Sequence, residues 1–291
     1  MNSDTLLKES DKLKLIKLIN SEKYDDVLKI LDKVKTHHAD TSKTKDKRFV
    51  IREIVRNIID SGNESVKKFY NAGKFFCDKE NDNAKEIGIS LIWRGYDFNP
   101  VKVKQVLLKI SDDPNWEVRE YAGNAFADTL YYHNEFLTDL KEWRDHESEN
   151  VRRAVVFSAL AFRDEKNYKK AFKLLSKLMK DSSVYVRKNL GPFILGSLFG
   201  GRFPEETTDF LKKSGKSKEP FVKWNVIMAY NNSFGKNHPD KAFEVLRMFK
   251  DDNDIRVIRA MRSTLNFLGK HHTEKTKSFI EKYYIGKMKH N

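Results

Sequence analysis

Trp116 and Glu120, in the run NWEVREYA, stand four residues apart. If one helix carries both, they share a face. A carboxylate in that position can stabilise developing positive charge or orient a water for attack. An indole beside it attracts a cation by about 0.5–2 kcal/mol. The plain alternative is that Trp116 packs between helices and Glu120 pairs with Arg119 or Arg153. Trp93 and Asp97, in WRGYD, repeat the spacing at what reads as a helix end, where it is coincidental. Trp143 and Trp224 carry the same two readings, core or substrate-facing; Trp224 follows its helix start closely and could face a groove.

Other chemistry is missing. No P-loop, G-x-G-x-x-G, G-x-S-x-G or H-E-x-x-H occurs, so no cofactor is expected. Cys77 is the one cysteine, and no Cys/His set of zinc-finger spacing exists, so neither disulfide nor metal is expected. His37 and His38 lack a third ligand nearby and read as solvated.

Composition limits the frame that must position these residues. The 291 residues are 39% hydrophobic and 34% charged, enough for a sizeable core but without an 18-residue apolar run. The N-terminus MNSDTLLKES lacks a signal-peptide apolar region, so a cytoplasmic protein is expected. Fifty-six basic residues against 42 acidic ones leave a net charge of +14, which attracts polyanions without naming one. With 6 prolines and 13 glycines, an all-β chain full of turns is excluded in favour of helices. Two amphipathic helices are predicted over the first 35 residues, then a polar loop or flexible connector from His37 to Lys47.

Beyond that the chain repeats itself. DDPNWEVREYAGNAF, HESENVRRAVVFSAL, KDSSVYVRKNLGPFI and KSKEPFVKWNVIMAY align as a polar turn, a hydrophobic marker followed by a base, and an apolar-rich helix. The markers Val118, Val151, Val186 and Val222 are 33, 35 and 36 residues apart, and the same phase reaches Val50, Ala84 and Ile255. Further helical patterns lie between them, for instance at 101–110, 168–180 and 238–250. A two-helix unit cannot bury its own apolar face, so neighbours must stack. The expected fold is all-α, a right-handed superhelical solenoid of about seven HEAT-like helix-turn-helix repeats whose second helices line the concave face. One domain spans 1–291: N-terminal helices and connector at 1–47, repeats at 48–268, and a basic capping segment at 269–291 that includes His271, His272, Phe279, Tyr283 and Tyr284. Gly200 and Gly201 read as an inter-repeat loop, broken by Pro204.

The base after each marker (Lys85, Arg119, Arg152, Arg187, Lys223, Arg256) has two readings. It can pair with a turn acid such as Asp112, Asp181 or Asp251 and tie the stack together, or it can join a row tracking a phosphate backbone. Arg153, Lys188 and Arg259 are additional to the repeat pattern and are better phosphate candidates.

NWEVREYA, SENVRRAV and SSVYVRKNL together resemble the DNA alkylation repair glycosylases built of HEAT-like repeats, over roughly residues 112–192. In that family a W-x-x-x-acid element precedes an arginine-bearing repeat. The resemblance implies Glu120 and Trp116 as the catalytic pair and Arg153 as a DNA contact. A second family tryptophan is replaced here by Pro192. Glu120 and Tyr121 fit the V-R-E-W form of one branch, while Phe157 and ALAFRD depart from that branch's tail. What the resemblance implies is hydrolysis of the N-glycosidic bond of N3- or N7-alkylated purines in duplex DNA, by a monomer that uses no cofactor. The DNA-binding set would be Arg153, Arg152, Arg187, Lys188, Lys223, Trp224 and Tyr121. The rival expectations are a non-catalytic scaffold for an acidic protein or RNA, and a protein that binds DNA by shape.

Overall fold

The computed structural model describes residues 5–62, 64–162, 164 and 167–284. Residues 1–4, Arg163 of ALAFRD, the Tyr284 side chain and the last seven residues of the basic tail lie outside that description. The described chain is all-α, with seventeen α-helices and one isolated β-bridge, Lys35 to Ser42. It forms two compact units, Met1–Leu137 and Thr138–Asn291.

The first unit holds α1 (Glu9–Asn20), α2 (Tyr24–Asp32), α3 (Thr44–Asp60), α4 (Ser65–Cys77), α5 (Asp82–Ile92), α6 (Pro100–Ser111) and α7 (Trp116–Tyr132). Helix α8 (Leu137–Trp143) leads into the second. There follow α9 (Glu149–Ser158), α10 (Tyr168–Leu178), α11 (Val184–Asn189), a π-helical segment (Leu190–Gly200), α12 (Pro204–Gly215), α13 (Pro220–Met228), α14 (Ser233–Asn237), α15 (Pro239–Leu246), α16 (Ile255–Gly269) and α17 (Thr273–Tyr284). Among the described residues the second helices of seven repeats are α3, α5, α7, α9, α11 with the π segment, α13 and α16. They stack on one another within each unit: α3 on α5 on α7, then α9 on α11, the π segment on α13, and α13 on α16.

Five of the seven second helices start on a side-chain cap, and α13 starts on Pro220 at its first position. The side chains of Asn81, Asn115, Ser148, Ser183 and Asp254 accept backbone N–H bonds from the first turn of α5, α7, α9, α11 and α16. Three residues after the cap comes the marker, always enclosed: Ala84, Val118, Val151, Val186, Val222 and Val257. The last of these corrects the sequence phase. Ile255, the residue expected, is the first of α16 and is 52% exposed, and Val257 fills the buried place two residues later. Val50 is buried, but it lies in the second turn of α3; the equivalent first-turn place belongs to Asp46, whose carboxylate accepts the backbone N–H of Leu6 at 3.0 Å.

The segment 37–47 is no flexible connector. Thr44 to Lys47 already form the first turn of α3. The loop before it is pinned at several points. Ser42 N donates to Asn83 Oδ1 (2.8 Å), Asn115 Nδ2 to the Ala39 carbonyl (2.8 Å), and Thr36 N to the Thr41 carbonyl (2.9 Å). Ala39 and Asp40 take left-handed backbone angles, φ 59° and 54°, which non-glycine residues keep only where surroundings hold them.

The π segment follows from Pro192. A proline inside a helix lacks an N–H and its ring crowds the carbonyl four residues back. The wider winding relieves that crowding. Gly200 closes the segment and Gly201 leads through Arg202 and Phe203 into α12, so the expected loop at the glycine pair is mostly helical.

Candidate nucleic-acid interface and its buried support

Trp116 is the first residue of α7, so Trp116 and Glu120 lie on one helical face, and the condition attached to that pair is met. The indole is 42% exposed, whereas Glu120 is partly buried. The ring of His38 meets Trp116 edge-on, centroids 5.0 Å apart, so this histidine is exposed but not merely solvated.

Next to Trp116, Glu117 turns the other way, into the interior. Lys47 is wholly enclosed. Its ammonium lies 3.0 Å from Glu117 Oε1, forms a close ion pair with the enclosed Glu86, and donates to Thr41 Oγ1 at 3.0 Å. The Thr41 hydroxyl donates in turn to Glu117 Oε2 at 2.5 Å. Two carboxylates thus share one ammonium away from water. Burial, reinforced by the charge of Glu117, pushes the Glu86 carboxyl up to about 8 although Lys47 pulls it down. Tyr121, expected on DNA, instead lies within this group: Lys47 sits 5.3 Å from its ring centre and its hydroxyl is enclosed beside Thr44, with burial pushing its pKa up so that the phenol stays neutral.

Sequence reasoning missed Lys47, Glu86 and Glu117. One signal was available: Lys47 holds the fourth place of α3, the same place that Lys85, Arg119, Arg152, Arg187 and Lys223 hold in later repeats. A pocket of ≈ 360 Å³ opens above the network, bounded among others by His38, Thr44, Lys45 and Glu117.

In the second unit most of the expected phosphate contacts are engaged within the protein. Arg152 Nε meets Asp181 Oδ2 at 2.6 Å, and its Nη1 donates to the carbonyls of His146 (2.8 Å) and Glu147 (2.7 Å). Lys223 pairs with Asp252 at 2.5 Å, and in the first unit Lys85 pairs with Asp113 at 2.9 Å. The inter-repeat ladder is therefore present, although two of its acids fall one residue after those expected at Asp112 and Asp251. Arg187 donates to the carbonyls of Asp181 and Ser182, with its guanidinium 4.1 Å from the Phe221 ring centre and 5.4 Å from that of Trp224. Arg153 is only 4% exposed, its guanidinium 4.5 Å from the Phe157 ring centre and 4.7 Å from that of Tyr185. Arg256 turns back to Asp254 of its own turn. Lys188 and Arg259 are exposed, with Lys188 Nζ 4.8 Å from the Tyr185 ring centre.

Pro192 sits in the π segment, where its carbonyl accepts the Asn232 amide at 2.6 Å. Its neighbour Phe193 is the exposed aromatic there, its ring centre 6.0 Å from that of Phe157. Trp93 is buried and stacked on Tyr132, in keeping with a structural role. Among the described residues no group of three or more His, Cys, Asp or Glu side chains could hold a metal ion, and no helix is long and apolar enough to cross a membrane.

A family model described as "DNA alkylation repair enzyme" matches residues 47–225, well over half of the chain. No curated protein sequence matches. Among solved structures, the chain is similar to an engineered protein at 14% identity and a TM-score of 0.34, covering 91% of this chain and 100% of the other. It is also similar to a designed armadillo repeat protein in complex with a (KR)4 peptide, at 17% identity and 0.29, covering 90% and 100%.

Proposed function

The chain belongs to the DNA alkylation repair enzyme family, and from that premise we propose that it is a DNA glycosylase acting on N3- or N7-alkylated purines in duplex DNA. Such a purine is already cationic and departs as a neutral base, so no strong general acid is required. As the bond between the sugar's anomeric carbon and the base nitrogen breaks, its electron pair goes to the base and positive charge develops on the sugar. Glu120 stabilises that charge and orients the water whose oxygen bonds to the anomeric carbon, its surplus proton passing to the carboxylate or solvent. Trp116 offers its π face to the cationic base or sugar. No cofactor or metal enters the reaction.

One observation carries this reading. Trp116 stands 42% exposed at the first position of α7, one turn from Glu120, where a tryptophan serving only to pack repeats would be enclosed. Lys188, and Trp224 against Arg187, are the proposed DNA contacts of the second unit. The test is release of free base from duplex DNA carrying N3- and N7-methylpurines, with wild type and Glu120→Gln side by side. Wild type is expected to release base and the variant to lose release while keeping its DNA affinity. Equal release by both removes Glu120 from the mechanism.

A second reading, a protein of this family that binds DNA without excising a base, is favoured by Pro192, which stands in the π segment where the resemblance expects a second tryptophan. Wild type that binds duplex DNA with steep salt dependence yet releases nothing would select it.

A further inference from the structure

We propose that Glu117 is a positioning residue: it ties loop 35–43 to the first turn of α7 and so fixes the His38–Trp116 contact that aims the indole. The inference rests on the reading that Trp116 faces substrate, but it can be tested without it.

Trp116 and Glu117 are consecutive residues on the first turn of α7, roughly 100° apart around the helix. One points to solvent and the other into the Lys47 network. An exposed indole at a helix start has rotamer freedom unless something meets it. What meets it is His38, which comes from a loop lying before the segment that matches the family. That loop holds two left-handed non-glycine residues directly after His38. Such a conformation persists only when over-determined.

The fastenings converge on α7: Asn115 holds the Ala39 carbonyl, and Glu117 accepts the Thr41 hydroxyl. Lys47 then bridges Thr41 and Glu117 to Glu86 of α5. Loss of the Glu117 carboxylate releases the loop from α7 at Thr41, and it also removes a like charge that helps keep the Glu86 carboxyl protonated, so that Glu86 can serve as the counter-ion of Lys47. The fold is thus expected to survive the substitution, while the indole loses its partner.

The experiment follows the indole N–H resonances of the full-length protein's four tryptophans by 1H–15N correlation spectroscopy, with Trp116 assigned by its loss in Trp116→Phe. In Glu117→Ala the Trp116 resonance is expected to move or broaden while those of Trp93, Trp143 and Trp224 stay in place. His38→Ala should move it comparably, and the double variant should add nothing to either. Glu117→Gln, whose amide oxygen keeps an acceptor for the Thr41 hydroxyl, should return the resonance part of the way toward its wild-type position. Should Glu117→Ala not fold, Thr41→Val is read in the same way, since it leaves every charge in place. An unmoved Trp116 resonance in a folded variant, or one that responds to Glu117→Ala and not to His38→Ala, overturns the proposal. Where wild type releases base, the same variants should lower kcat on the order of tenfold to a hundredfold with little change in KM. A wild type without activity leaves the resonance test intact, so failure of the glycosylase reading is distinguishable from failure of this one.

Discussion

Arg152 and Asp181, 29 residues apart in sequence, meet at 2.6 Å between one turn and the next. The same guanidinium holds two carbonyls of its own turn, so one side chain closes a helix start and fastens it to its neighbour. A base used in this way is committed before any nucleic acid arrives.

That commitment separates two kinds of base in a binding experiment. Arg152→Ala is expected to lower stability by about 1.5–3 kcal/mol, because a charged hydrogen-bond network is lost. The slope of log K against log salt for duplex DNA should stay as in wild type. Lys188→Ala should do the reverse: stability within about 0.5 kcal/mol of wild type and a slope reduced by about 1. A reduced slope for Arg152→Ala would instead make it a phosphate contact.

Lys47→Met strips the ammonium from two carboxylates that have little access to water. Breaking a buried pair from one side costs about 3–5 kcal/mol. We expect a lower urea midpoint at unchanged m. A loss below about 1 kcal/mol would mean that water reaches the group.

Glu86 gives stability a pH dependence of definite sign. Its carboxyl titrates at about 8 in the folded protein against 4.5 as the reference value. Between those values the folded state holds a proton that the unfolded state has released. Its contribution is therefore full below about 4.5 and is lost as pH rises toward 8, with a slope of at most about 1.4 kcal/mol per pH unit. Chemical denaturation across this window should show the decline in wild type and a flatter profile in Glu86→Gln. Parallel profiles would remove Glu86 as its source.

Gly196→Ala tests the packing of the π segment. Alanine for glycine in an open helix gains about 0.5–1 kcal/mol. Here the added carbon would lie 2.3 Å from the Ala229 carbonyl oxygen and the Asn232 amide. We expect a net loss of about 1–3 kcal/mol, read from the thermal midpoint. A more stable variant would show that α13 can yield.

The repeats were legible because a polar turn, an enclosed aliphatic residue and a base recur at nearly constant spacing, and each has a separate physical cause. The ladder was legible for the same reason. Its acids at Asp113 and Asp252 were missed by one residue, since a turn with two adjacent aspartates does not say which one faces the neighbouring helix. Arg153 and Arg187 read as phosphate contacts because sequence does not reveal that aromatic rings enclose them. The Lys47 group was missed for a related reason, although the place of Lys47 in its repeat was a signal. In a chain that is 34% charged, a buried lysine or glutamate has the same letter as a solvated one. Trp116 and Glu120 were visible from spacing, but the segment that carries His38 back to Trp116 was read as a polar loop or flexible connector.

The markers on either side of the π segment, Val186 and Val222, are 36 residues apart, the widest interval among Val118, Val151, Val186 and Val222. A wider coil stores more residues in a given length. Neighbouring layers must match in height, not in residue count, so this repeat absorbs its surplus around Pro192 without lifting the next layer out of step. The chain can therefore vary the length of a repeat, and hence what that repeat displays, while the stack around it keeps its level.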